Sequence, residues 1–235
     1  LNNMANYTTA QTAQQSLVST LFKSVYLQMA AALTVTGLTA YFVANSPQLL
    51  YSIYSNSASI WMLLIAQFGL VIWLSSRVMK MSMTSATILF ILYSVVTGVT
   101  FSSIFLLYTM ESIASTFFVT AGTFFAMSLI GYTTRMDLSK IGNILYMLLI
   151  GLLIATVVNI FVASSGLYWV ITYAGVIIFT GLIAWDTQKL KTIFIEYGSA
   201  DDNGQKLALL GALTLYLDFI NLFLFLLRIL GGSRE

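Results

Sequence analysis

The sequence predicts an all-α integral membrane protein, a bundle of seven transmembrane helices, and three observations lead to this prediction. Hydrophobic residues fill 59% of the 235 positions and charged residues only 8%, whereas roughly a quarter of the residues in a soluble domain are charged. Seven apolar runs are long enough to cross about 30 Å of hydrocarbon as helices. The runs do not alternate polar and apolar residues as the strands of a membrane barrel do.

The segment before the first apolar run is polar and carries no charge. It lacks the basic start and apolar centre of a cleaved signal peptide. We therefore expect residues 1–20 to form a flexible tail and residues 21–235 to form one membrane domain. The chain has no Cys and no His, which excludes zinc and haem ligation by these residues, disulfides, and Cys or His nucleophiles. We expect no enzymatic activity and no tightly bound cofactor.

The predicted spans follow one another with short connections. The only proline, Pro47, lies between the first two spans, so no span is expected to carry a proline kink. Met110 and Glu111 alone separate the third span from the fourth, which requires a tight turn. In chain order the predicted spans cover residues 24–45, 57–76, 84–109, 112–133, 141–164, 167–188 and 207–230.

Two of these spans carry small residues four positions apart, a spacing that lets neighbouring helices approach closely in a membrane. Gly122 and Ala126 lie in the fourth span, and Gly151 and Ala155 lie in the fifth. Such pairs also arise by chance in apolar helices, so the spacing permits close contacts at these positions without establishing them.

Basic residues follow spans two, four and six and are missing from the connections after spans one, three and five. Cytoplasmic loops carry an excess of Lys and Arg, so this asymmetry predicts a cytoplasmic amino terminus and a carboxyl terminus outside. The net charge is only +2 and the basic residues are scattered, so we expect the lipid bilayer as a partner and no nucleic acid. The residues counted are Arg77, Lys80, Arg135, Lys140, Lys189, Lys191 and Lys206.

Each of the last two spans contains one acid, in GLIAWDTQKLK and in LYLDFINLF. Asp186 lies twelve residues before Gly198, and Asp218 lies thirteen residues after Gln205. If GSADDNGQ is the turn between two antiparallel helices, both carboxyl groups lie at nearly one depth, about 18–20 Å along the helices from that turn. This requires the sixth helix to continue as far as Gly198. We therefore expect the two carboxyl groups to face each other.

Acids within a membrane usually pair and mark a pathway or a relay. Two adjacent carboxyl groups cannot both ionise easily, which predicts a proton-sensitive switch at Asp186 and Asp218. Without its proton the pair offers oxygen ligands for transient Ca²⁺ binding, and Asn221 lies one helical turn away. Arg77 is a candidate latch through a charge-assisted hydrogen bond. Alternatively, Asp186 snorkels to the interface, Asp218 is a hydrogen-bonded packing residue, and Arg77 is a positive-inside anchor.

Three segments resemble the bacterial branch of the Bax inhibitor family. They are GYTTRMDLSKIGNILYMLLIGLLIATVVNIF (131–161), FTGLIAWDTQKLK (179–191) and LTLYLDFINLFLFLLRILG (213–231). The resemblance covers nearly all of the chain after residue 20. It implies a seven-helix bundle whose last helix is enclosed by the others, located in the bacterial inner membrane.

The resemblance also implies a function, a pH-sensitive calcium leak governed by an aspartate pair that Asp186 and Asp218 would form. Arg77 is similar in placement to a family arginine that hydrogen-bonds the pair. Arg228 matches an arginine that some relatives pair with a glutamate in the second helix, but here the second span contains no acid. From the sequence alone, Arg228 either pairs with an acid elsewhere or snorkels outward.

The main hypothesis is that the protonated, latched pair is closed or slow and that the deprotonated pair admits calcium. The alternative is an interaction protein that modulates a membrane-bound quality-control protease, with the polar tail as its contact. A third reading, an intramembrane aspartyl protease, also needs two aspartates on adjacent spans. Those enzymes carry Gly-x-Gly-Asp and Pro-Ala-Leu motifs, whereas Leu-Tyr-Leu precedes Asp218 and the only proline is Pro47.

Overall fold

The computed structural model describes the backbone of residues 2–232 and the side chains of residues 11–232. Seven helical segments of this part are long and apolar enough to cross a membrane, which confirms the predicted fold class. Two further helices, α2 and α5, are short. The helices are α1 (Asn2–Ala44), α2 (Pro47–Tyr54), α3 (Ser57–Arg77), α4 (Met83–Phe101), α5 (Ile104–Leu107), α6 (Met110–Thr133), α7 (Ser139–Val162), α8 (Ser165–Tyr197) and α9 (Asp202–Leu230).

Helix α1 begins well before the predicted first span. Residues 11–20, expected to belong to a flexible tail, are helical. This stretch contains no glycine or proline to interrupt a helix, and its start is held by a hydrogen bond from the Gln14 side chain to the Ile195 carbonyl oxygen, 3.0 Å long. Val18 and Leu21 are buried. Residues 11–20 are therefore a helix where a flexible tail was expected. Polar side chains are compatible with a helix when one face of it contacts the rest of the protein, as Gln14 does here.

The third span is interrupted although it contains no proline. The helix ends at Phe101, and Ser102 and Ser103 form a turn before α5. The Ser102 hydroxyl donates to the Val99 carbonyl at 2.7 Å, and the Tyr54 hydroxyl donates to the Thr100 carbonyl at 3.1 Å. Side-chain hydroxyls thus replace helix hydrogen bonds at the break, as a membrane segment requires.

The described residues form two compact units. Unit 1 comprises the described residues of Leu1–Leu106 and Lys191–Leu213. Within it, α1 packs closely against α4, since a methyl group added at Gly98 would lie 2.6 Å from the Thr36 carbonyl oxygen. Unit 2 comprises the described residues of Leu107–Leu190 and Thr214–Glu235, and therefore includes α6, α7, most of α8 and the second half of α9.

Two glycines set the packing of α8 within unit 2. A methyl group added at Gly131 in α6 would lie 2.1 Å from the Ala184 carbonyl oxygen, and one added at Gly142 in α7 would lie 2.1 Å from the Trp185 ring. Only a residue without a side chain permits these approaches. Both contacts lie on the part of α8 that directly precedes Asp186.

The glycines that the sequence analysis selected lie elsewhere. A methyl group at Gly122 or at Gly151 would meet nothing within 4 Å. Among the described residues, the close approach that this spacing permits does not occur at these two glycines, because small-residue spacing does not show which face of an apolar helix meets protein.

Burial differs widely among the seven spanning segments. In α9, 61% of the most apolar stretch is buried, the highest share of the seven, as expected for a central last helix. In the segment of α3 that continues through a 3-10 turn to Lys80, the share is 6%. Helix α9 thus contributes many of the buried side chains around its own mid-helix acid, Asp218.

Candidate functional site

The structure brings Asp186 and Asp218 together inside unit 2. Helix α8 continues without interruption to Tyr197, as the depth argument required, and α9 begins at Asp202. A side-chain hydrogen bond joins the two carboxyl groups. Asp186 is 8% exposed and Asp218 is 5% exposed. The second oxygen of Asp218, Oδ2, is buried without a hydrogen-bond partner.

This contact fixes the protonation chemistry of the pair. An ionised carboxyl group can only accept hydrogen bonds, so a bond between two of them requires a proton on at least one. Removing that proton would leave two negative charges side by side in the protein interior, which is unfavourable. We therefore expect the two acids to bind and release protons as one coupled unit.

Thr187, the residue after Asp186, connects this part of α8 to α6. Its hydroxyl donates to the Ile183 carbonyl oxygen at 2.7 Å, and it lies 3.0 Å from the Ser128 hydroxyl oxygen. Thr187 is fully buried and Ser128 is 4% exposed. The contact fixes the rotation of α8 against α6 beside the acid pair.

Gln188 holds the connection between α6 and α7. Its side-chain oxygen accepts a hydrogen bond from the Leu138 amide, and its side-chain nitrogen donates to the Met136 carbonyl, both at 2.8 Å. Leu138 is the N-cap residue of α7 and makes no cap with its own side chain. The neighbouring Asp137 accepts from the Ser139 amide at 2.9 Å, and hydrogen bonds from Ser139 lower the pKa of the Asp137 carboxyl group. One side chain of α8 therefore anchors the start of α7.

We expect Gln188→Leu to lower the free energy of unfolding by about 1–3 kcal/mol, because two backbone groups would lose their partner at once. The measurement is reversible unfolding in mixed micelles. Gln15→Leu is the control, since Gln15 is exposed on α1. Equal free energies of unfolding for the two variants would show that the Gln188 hydrogen bonds do not contribute to stability.

Lys189 places a positive charge near Asp186. Its ammonium group lies 5.0 Å from the centre of the Trp185 ring, and it interacts electrostatically with Asp186. Aromatic rings attract cations through the electron density of their faces. The Trp185 ring therefore helps to hold a positive charge one helical turn from Asp186.

The other predicted site residues have different surroundings. Arg77 ends α3 in unit 1 and is exposed, and its role as a latch stays a prediction. Asn221 donates from its side chain to the Leu217 carbonyl at 2.8 Å, so its amide nitrogen is bound to its own helix. Its role as a further oxygen ligand also stays a prediction.

Arg228 contacts aromatic rings in the described part of the chain, where the sequence analysis offered an acid or the outer interface. Its guanidinium carbon lies 5.3 Å from the centre of the Tyr168 ring and 5.1 Å from that of Phe225. Burial raises the pKa of the nearby Tyr108 phenol, and the positive charge of Arg228 opposes this shift. The contact is favourable because the faces of aromatic rings attract a cation, so Arg228 is stabilised here without an acidic partner.

Four residues of this site were not predicted from the sequence: Ser128, Thr187, Gln188 and Lys189. A signal was present, since residues 186–189 are four consecutive polar residues in an otherwise apolar run. Successive residues in a helix are 100° apart, so four of them occupy every side and some must face protein. Their partners in α6 and in the α6–α7 connection were not evident, because no local pattern links such distant positions.

Within the described residues, there is no group of three or more His, Cys, Asp or Glu side chains that could hold a metal ion. The acid pair by itself supplies carboxylate oxygens from two residues, whereas Ca²⁺ takes about six to eight oxygen ligands. Such a pair is suited to brief contact with a hydrated cation and not to retention of one.

Comparison with known proteins gives consistent matches over nearly the full length. A family model described as "Inhibitor of apoptosis-promoting Bax1" matches residues 18–235. The chain is 51% identical over 218 residues to the inner membrane protein YbhL of Escherichia coli, covering 92% of this chain and 93% of that protein. It is 44% identical over 226 residues to an uncharacterized protein of Borreliella burgdorferi, with coverage of 96% and 97%. An uncharacterized protein of Rickettsia prowazekii is 43% identical over 211 residues, covering 90% and 89%.

Proposed function

Because the chain belongs to the Bax inhibitor-1 family of membrane proteins, we propose that it is a pH-sensitive calcium leak gated by Asp186 and Asp218. The observation that carries the proposal is the buried hydrogen bond between these two carboxyl groups. We also propose a bacterial inner membrane location, because its relative YbhL is named an inner membrane protein. The basic connections support a cytoplasmic amino terminus and an outside carboxyl terminus.

The proposed gating follows from the charge of the pair. With a proton bound, the two groups share a hydrogen bond and attract a cation weakly. Without it, two negative charges repel each other and attract Ca²⁺, which favours carboxylate oxygens. Because the pair supplies only part of a calcium shell, the ion is not held tightly, as passage requires.

The test is calcium entry into dye-loaded liposomes containing the protein, measured across roughly pH 5 to 8. Wild-type flux is expected to rise as the pair loses its proton. Asp186→Asn and Asp218→Asn are expected to give slow flux at every pH, because an amide cannot ionise and can still hydrogen-bond its neighbour. Asp202→Asn, at an exposed acid in the first turn of α9, is the control and should behave as wild type.

Equal flux and an equal pH profile in wild type and both aspartate variants would reject the mechanism. The alternative role, as a partner of a membrane-bound protease, relied on a flexible tail as the contact. Residues 11–20 are instead part of α1, and the Ser24 side chain of the same helix donates to Gln205 at 2.7 Å. This ordered start of α1 does not favour the alternative, so the calcium leak is the function we propose.

A further inference from the structure

Helix α6 carries a row of buried side-chain oxygens. Thr116, Thr120 and Ser128 are separated by multiples of four residues, and Phe124 fills the position between the last two. Thr116 and Thr120 are 0% exposed, Ser128 is 4% exposed and Phe124 is 7% exposed. Residues four apart lie on neighbouring turns of one helix face. The row therefore faces the interior of unit 2, whereas the Thr123 hydroxyl of the same helix lies outside it.

This row passes the acid pair at two points. Ser128 lies beside Thr187, the chain neighbour of Asp186, with 3.0 Å between the hydroxyl oxygens. The Phe124 ring lies 5.7 Å, between ring centres, from Phe219, the chain neighbour of Asp218. The hydroxyl row and the acid pair thus belong to one continuous region of unit 2.

Thr116 differs from the other members of the row because its hydroxyl oxygen is buried and has no hydrogen-bond partner among the described residues. The Thr120 hydroxyl instead donates to the Thr116 carbonyl at 2.8 Å. A buried hydroxyl without a partner is unfavourable, and a valine would fill nearly the same volume without that cost. Asp218 Oδ2 is a second buried oxygen without a partner in the same unit. Both oxygens are suited to binding water.

Aromatic rings interrupt the hydroxyl row at the level of the acids. Phe219 lies 5.4 Å from Phe117 and 5.7 Å from Phe124, between ring centres, and meets both in edge-to-face contacts. Apolar constrictions of this kind control passage in channels because they exclude water when closed. Along α6, Phe124 is the ring that lies between Thr120 and Ser128, and it packs against Phe219 of α9.

We propose that the Thr116 and Thr120 face of α6 binds water and lines a hydrated route between the amino-terminal end of α6 and the acid pair, with Phe124 against Phe219 as its closure. The route would carry hydrated cations or protons to the acid pair, and this role rests on the proposed function. The water-binding face itself does not depend on which ion passes. In this proposal, α6 lines the part of the pathway between its own amino-terminal end and the acid pair.

The absence of cysteine from the chain allows a direct test by introduced thiols. Thr116→Cys, Thr120→Cys and Val119→Cys are prepared separately and placed in liposomes. Val119 is the control because it lies on the same helix and is 47% exposed on the outer face of the bundle, where lipid would cover it. A charged, water-soluble thiosulfonate reagent modifies a thiol only where water lets it ionise. Modification at positions 116 and 120 should be at least about tenfold faster than at position 119.

The closure is tested by adding Phe124→Leu, which shortens the side chain while keeping it apolar. The double variant should accelerate modification at position 120 and leave the rate at position 119 unchanged. Rates at positions 116 and 120 that equal the rate at position 119, with and without Phe124→Leu, would overturn the proposal.

A second measurement separates this inference from the proposed function. Thr116→Val removes the oxygen and keeps the shape, whereas Thr123→Val removes a hydroxyl that is already bonded to the Val119 carbonyl at 2.9 Å. Calcium flux should fall several-fold in the first variant and stay at the wild-type level in the second. Absence of flux in wild type would reject the calcium leak, and the thiol rates would still decide whether the face of α6 is hydrated.

Discussion

Gly131→Ala is expected to lower the free energy of unfolding by about 1–3 kcal/mol, a substantial share of the roughly 5–15 kcal/mol that keeps a protein folded. The added methyl group would lie 2.1 Å from the Ala184 carbonyl oxygen. That oxygen belongs to the backbone of α8, so it cannot rotate aside as a side-chain atom would. Helices α6 and α8 would have to separate beside Thr187 and Asp186. The measurement is unfolding in mixed micelles, together with the yield of folded protein.

The matched control for this variant is on the same helix. Gly122→Ala adds the same methyl group where nothing lies within 4 Å. It should be neutral or stabilise the protein by up to about 1 kcal/mol, because alanine favours a helix more than glycine does. If Gly131→Ala were as well tolerated as Gly122→Ala, the close approach of α6 and α8 would be wrong.

Gly142→Ala is expected to destabilise the protein by about 1–3 kcal/mol through a clash with a side chain. The added methyl group would lie 2.1 Å from the Trp185 ring, which also holds the Lys189 ammonium group. Because a side chain causes the clash, Trp185→Leu should relieve it. The double variant is therefore expected to be more stable than the sum of the two single effects predicts, with unfolding measured for all four proteins.

Gly151→Ala is the control on α7, where the methyl group meets nothing within 4 Å. Combined with Trp185→Leu, it should show simple additivity. Additive effects for Gly142→Ala as well would contradict the contact between α7 and the Trp185 ring.

The seven spans could be predicted from the sequence because their length and apolar composition follow from the thickness of a bilayer. The pairing of the two acids could also be predicted, since the helical rise and the position of the turn fix their depths. Both arguments use distances along a helix. They needed no knowledge of which helix faces which, and this is why the structure agrees with them at Asp186 and Asp218.

The helix faces could not be predicted in the same way. In a membrane, side chains that face lipid and side chains that face protein are equally apolar, so the sequence offers little contrast between them. This explains why Gly122 and Gly151 were selected while Gly131 and Gly142 make the close contacts. The buried hydroxyl row of α6 was missed for another reason. A Ser or Thr hydroxyl can bond to the carbonyl one turn back on any helix face, as Thr123 does outside the core, so hydroxyl residues do not mark the buried face.

The start of α1 was misread for a different reason. Polar, uncharged residues are common in flexible tails, but glutamine and alanine are also compatible with a helix. Contacts with distant parts of unit 1, such as that between Gln14 and Ile195, decide between the two outcomes. Local composition cannot show such contacts.

The central claim is that Asp186 and Asp218 share protons as one unit, and pH-dependent infrared difference spectroscopy of their carboxyl groups tests it most directly. If the claim holds, replacing either acid by asparagine will change both the band position and the titration midpoint of the acid that remains, because its partner's charge and hydrogen bond are altered. If each acid instead kept its wild-type band and midpoint after the other was replaced, the two groups would be independent and the account would be contradicted.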